Sequence, residues 1–132
     1  MAFPAVTALY AGILGLIYFA LSAWVVMARG KYRTVHGDGG HSELHRRIRA
    51  HANFAEYVPL ILLLAALIEA GGASGATIHA LLLPLVVARL VHPVGMVAPE
   101  NSRQQYLFRA PGAILTWLIL IAASVLLLMR AV

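Results

Sequence analysis

FPAVTALYAGILGLIYFALSAWVVMA, residues 3–28, contains no charged side chain, and no basic residue precedes Arg29. A helix needs about 20 apolar residues to cross roughly 30 Å of hydrocarbon, and this block exceeds that. It is too long for the apolar core of a secretion signal and lacks the basic start of one, so it reads as a retained membrane helix. Working outward, residues 52–68 carry only Glu56, residues 76–91 carry His79 and Arg89, and residues 110–129 carry no charge. With 61% apolar and 11% charged residues over 132 positions, the composition lies outside the soluble range. The expected fold is all-α: an integral membrane bundle of four helices at about 3–28, 45–70, 76–92 and 109–130, forming one domain with no separate soluble part.

Charge then sets the orientation. Arg29, Lys31, Arg33, Arg46, Arg47, Arg49, Arg89, Arg103 and Arg109 lie at or near the first and third loops, whereas Arg130 alone marks the other side. By the positive-inside rule those loops are cytoplasmic and both termini are outside. This sorting by loop, rather than along an exposed domain, explains the net charge of +5 without nucleic acid as a partner. The alanine-rich, loop-poor chain suggests a bacterial inner membrane. With no cysteine, the chain has no disulfide, thiol nucleophile or thiolate metal ligand.

Glycines at 37, 39 and 40 mark a turn before the second helix, with Ser42 as its N-cap and Glu43 in the first turn. Residues 71–75 form a short turn that makes the second and third helices antiparallel neighbours. Pro59 and Pro84 fall inside helical spans and predict kinks, while Pro111 suits a first turn. His36, Asp38, His41 and His45 offer no convincing metal site, because the loop is glycine-rich. His79 reads as an interfacial residue.

On the second helix Arg46, Arg49, Asn53 and Glu56 follow at spacings of three, four and three, within about 80° of arc. A charge at helix centre costs roughly 2.5–3.5 kcal/mol, so Glu56 needs a partner. Arg89 and His92, on one face of the third helix, offer it. Arg109 opens the fourth helix, and together these groups predict a polar pocket open to the cytoplasm. Arginines in excess over one carboxylate favour a ligand with several anionic groups and an ammonium for Glu56. Lipid-facing walls would admit a lipophilic second molecule. Arg46 and Arg47 read as topology charges.

The run Arg49-Ala50-His51-Ala52-Asn53-Phe54-Ala55-Glu56-Tyr57-Val58-Pro59-Leu60 resembles the second-helix signature of the MAPEG family, membrane-associated proteins in eicosanoid and glutathione metabolism. The likeness extends to chain length, four spans, Ala28-Arg29, and Ala88-Arg89-Leu90 with His92. The resemblance implies that Arg49, Asn53 and Glu56 bind glutathione as co-substrate, with Tyr57 close by and Arg29 and Arg89 completing the site. It further implies that Arg109 stabilises the glutathione thiolate, Arg103 being the competing choice, and that the chain forms homotrimers with sites between subunits. The implied activity joins the thiolate to a lipophilic electrophile or reduces a lipid peroxide. Lowering a thiol pKa from about 8.5 by two units requires roughly 2.7 kcal/mol, which one or two partly buried arginines can supply.

Two positions depart from the family pattern: Ala52 replaces a polar residue and Met96 a tyrosine that contacts glutathione. They fit the alternative of a noncatalytic, lipid-binding member of the same family. A small proton-coupled exporter would carry a carboxylate in its first helix, and residues 3–28 have none.

Overall fold

The protein is described by a computed structural model covering residues 2–131. Four helices follow in order: α1 (Ala5–Tyr32), α2 (Ser42–Ala70), α3 (Gly75–Val97) and α4 (Arg103–Ala131). All four are long and apolar enough to span a membrane, and no strand occurs among the described residues. The molecule is an all-α, four-helix membrane bundle. α2 and α3 pack on each other, α1 packs on both, and so does α4. Among the described residues α1 and α4 do not meet, so the α2–α3 hairpin separates them.

The core runs along the hairpin, with Leu14, Phe54, Val58, Ile61, Ala65, Leu82, Leu85 and Ile119 buried. Leu16, Phe19, Leu83, Leu118, Ile121 and Leu128 point outward. For a bundle surrounded by acyl chains, outward leucines carry no penalty, and close backbone packing takes over from hydrophobic burial as the source of specificity. Two glycines provide it. A Cβ on Gly95 would stand 2.2 Å from the backbone nitrogen of Arg109, and one on Gly112 would stand 2.8 Å from Cβ of His92. α3 and α4 therefore touch backbone to backbone at the charged end.

Several helix boundaries differ from the sequence expectation. α1 runs past residue 28 to Tyr32 because its last turn packs on the start of α2: Val25 and Ala28 enclose Leu44, and Tyr32 and Lys31 both donate to Glu43, the latter at 3.1 Å. α2 opens at Ser42, but the N-cap is His41 and not Ser42, and no side chain caps that end. α3 continues through Pro93 to Val97 and also through Pro84, its start capped by Ser74 Oγ, which accepts from the Thr77 amide at 3.3 Å. α4 begins earlier than the uncharged run, at Arg103. Asn101, at φ 59°, turns the chain, and Ser102 Oγ accepts from the Gln105 amide at 3.2 Å. Pro111 is consequently interior to α4 rather than in its first turn.

At the opposite end Glu69, which no motif or spacing in the sequence distinguishes, closes the bundle. Its carboxylate accepts from the amides of Val6 (2.8 Å) and Thr7 (2.7 Å) and from Thr7 Oγ1 (2.7 Å). A side chain from the end of α2 thus satisfies the orphan donors of α1, where α1 has no cap of its own. Nearby, the hydroxyl of Tyr10 meets Nδ1 of His79 at 2.8 Å.

Candidate functional site

A cleft of about 600 Å³ opens at the charged end between α2, α3 and α4, within the roughly 300–1,000 Å³ typical of small-molecule sites. From α2 it takes His45, Arg46, Arg49 and Asn53, and from α3 His92 and Met96. Glu100 and Asn101 of the connecting turn join Gln105, Arg109, Ala113 and Trp117 of α4. Its charge is three arginines against one carboxylate, Glu100. The wall on α4 follows from helix geometry: Arg109, Ala113 and Trp117 recur every four residues, on one face. Trp117 lies about two helical turns deeper than Arg109. It is half exposed.

Arg89 is not a lining residue of this cleft. It is 1% exposed and ties three helices together. One Nη donates to Asn53 Oδ1 of α2 at 2.9 Å, and the other to the Gly112 carbonyl at 3.2 Å and to Thr116 Oγ1, both on α4. The physical reason is depth: at membrane level a guanidinium needs protein acceptors, and the glycine contacts bring α4 close enough to supply them. The bond also fixes Asn53. A guanidinium only donates, so it takes the amide oxygen and leaves the NH2 group for the cleft.

Glu56 finds its partner on its own helix and not on α3. Both Nη atoms of Arg49 approach Glu56 Oε1 at 3.4 Å, with each side chain 47% exposed. Positions seven apart on a helix share a face, and Arg89 is engaged instead by Asn53, Gly112 and Thr116. Glu56 does not line the cleft, nor does Tyr57, which packs against the apolar core. His92 does, 3% exposed at the floor. Of the competing arginines of α4, Arg109 lines the cleft and Arg103 does not.

Arg29 also stands outside it, on the α1 side. Its Nη1 donates to the carbonyls of Val35 and Gly37, each at 2.9 Å, and so holds the first loop. Within that loop Asp38 accepts from the Gly40 amide at 3.0 Å and pairs with Nδ1 of His45 at 2.7 Å. The amide first and the imidazole second hold its carboxyl below the usual carboxylate range. Arg47 faces α1, stacked 4.7 Å above the ring of Trp24 and paired with Glu43, so it locks α1 to α2.

His45, Arg46, Glu100, Asn101, Gln105, Ala113 and Trp117 line the cleft without being expected there from sequence. On α2 a signal exists: Arg46 already belongs to the stripe, though read as a topology charge, and His45 precedes Arg49 by four. On α4 Ala113 and Trp117 follow Arg109 at four-residue spacing, whereas Gln105 depends on a helix start at Arg103, which the uncharged run alone does not reveal.

A sequence model of the MAPEG family matches residues 7–129. The chain is also similar to the inner membrane protein YecN of Escherichia coli strain K12 and of Escherichia coli O6:H1. Each is 36% identical over 112 residues, covering 85% of this chain and 82% of the relative. A family match over nearly the whole chain, relatives of the same length class and the four-span bundle agree: this chain belongs to the MAPEG family.

Proposed function

We propose that the protein is a glutathione-dependent transferase or peroxidase of a bacterial inner membrane, acting on a lipophilic electrophile or lipid peroxide. The observation that carries this reading is the meeting of Arg49, Asn53 and Arg109, from two helices far apart in sequence, in one cationic cleft at the charged end. The YecN relatives, named as inner membrane proteins, support the location, and the charge bias supports a cytoplasmic cleft with both termini outside.

In this reading the two carboxylates of glutathione meet Arg46 and Arg49, and the NH2 of Asn53 donates to a ligand carbonyl or carboxylate. The sulfur lies beside Arg109, whose charge favours thiolate over thiol. The electrophile arrives from the bilayer along Ala113 and Trp117, where the cleft turns apolar. Glu56, Tyr57 and Arg29 lie outside the cleft of one chain, and a homotrimer with sites between subunits would give Glu56, half exposed beside Arg49, a place at the ligand. A second reading, a noncatalytic lipid-binding member, is favoured by Met96, an apolar side chain on the cleft wall.

Calorimetric titration of glutathione into detergent-solubilised protein tests the proposal. Binding that is lost in Arg49→Ala and Arg109→Ala, with turnover of a generic aryl halide, is the expected result. Protein that neither binds glutathione nor conjugates the halide would sink it, and binding without turnover would favour the second reading.

A further inference from the structure

The first loop is constructed around one carboxylate. Gly37, Gly39 and Gly40 all adopt left-handed, positive φ. A Cβ on Gly39 would meet Thr34 Oγ1 at 2.6 Å, so the backbone path needs glycine there. Arg29 clamps the loop through the carbonyls of Val35 and Gly37. The Asp38 carbonyl accepts from the His41 amide at 2.9 Å, and its Oδ1 accepts from Gly40. Only Oδ2 remains, and it meets Nδ1 of His45 at 2.7 Å. These contacts aim one oxygen at one ring nitrogen. His45 lies in the opening turns of α2 and lines the cleft, so the nitrogen left for a ligand is Nε2.

A carboxylate on Nδ1 selects the tautomer whose Nε2 bears the lone pair and can accept a proton. The glutathione reading lacks that function. Arg109 supplies charge beside the sulfur, but an arginine does not accept a proton. The other charged and titratable groups on the cleft wall are Arg46 and Arg49 of α2, His92 of α3, and Glu100 in the turn. His92 sits at the floor with its Cβ against Gly112, whereas the His45 side chain is 58% exposed and can pass a proton to water.

We propose that His45, positioned by Asp38, is the base that removes the thiol proton of glutathione bound in the cleft. The inference rests on the glutathione reading. The S–H bond breaks, the proton goes to Nε2, and the electron pair stays on sulfur beside Arg109. With an aryl halide, a carbon–sulfur bond then forms and the carbon–halogen bond breaks, halide leaving with its electron pair. His45 returns its proton to water at the cleft mouth. Asp38 touches no substrate and is a positioning residue.

The test follows the far-ultraviolet absorbance of bound thiolate by stopped flow, with the full chain in detergent. General-base assistance contributes at least about 100-fold, so His45→Gln should form the thiolate about 100-fold more slowly while glutathione affinity stays within about twofold. Imidazole added to His45→Ala should restore part of the rate. Asp38→Asn should slow the step less than loss of His45 and shift its pH profile, and Asp38→Glu should recover it. Thiolate formation at the wild-type rate in His45→Gln overturns the assignment, as does a loss confined to His92→Gln. Wild-type protein that binds no glutathione removes the glutathione reading and this inference together.

Discussion

Arg89 holds α2, α3 and α4 in register through Asn53, Gly112 and Thr116. Hydrogen bonds to charged groups are worth about 1.5–3 kcal/mol each, more where no water can substitute. Thr116→Val keeps the shape and removes one acceptor, so it should lower stability by about 1.5–3 kcal/mol, whereas Thr116→Ser should stay close to wild type. Thermal unfolding in detergent measures both. Asp38 makes a prediction of opposite character, because it lies in water. Its carboxyl is held low by the Gly40 amide and by His45. The sign follows: a depressed carboxylate contributes to loop order above its unfolded pKa and loses that contribution as pH falls through the lower folded value. Amide exchange at Gly40 should therefore be protected at neutral pH and down to the ordinary aspartate range. Protection should be lost only under more acid conditions, and Asp38→Ala, which removes the accepting oxygen, should lack it at every pH.

At the scale of the helix, the α3–α4 contact decides whether a cleft exists. Gly95→Ala places a methyl group 2.2 Å from the Arg109 nitrogen, in backbone that cannot step aside without moving α4. Overpacking of this kind costs about 1–3 kcal/mol, and because Arg109 itself is displaced, ligand affinity should fall with stability. Gly12→Ala is the control, since nothing lies within 4 Å of its Cβ and alanine is the better helix former. A shared drop in melting midpoint and glutathione affinity for Gly95→Ala, absent for Gly12→Ala, would establish the contact as the cleft's frame. The early start of α4 at Arg103 serves the same end: those added turns carry Gln105 and bring Arg109 into the cleft that Arg49 lines from α2.

For the molecule as a whole, the distribution of arginines predicts a cytoplasmic cleft. The chain has no cysteine, so single cysteines can be introduced at His36 and Ser74 without background. A membrane-impermeant maleimide applied to intact cells should label Ser74→Cys and not His36→Cys; the reverse pattern would invert the topology. Four spans, their order and the charged end were legible in the sequence, because the cost of placing charge in hydrocarbon is paid residue by residue along the chain. The stripe Arg49-Asn53-Glu56 was legible too, as helical periodicity. Where the candidate site residues face was not: Glu56 pairs with Arg49 yet does not line the cleft, Arg89 is a buried tie between helices, and Arg29 holds a loop. Those assignments depend on which helices lie in contact, and two glycines settle that by letting α3 and α4 approach backbone to backbone, a distance that no single-helix pattern encodes.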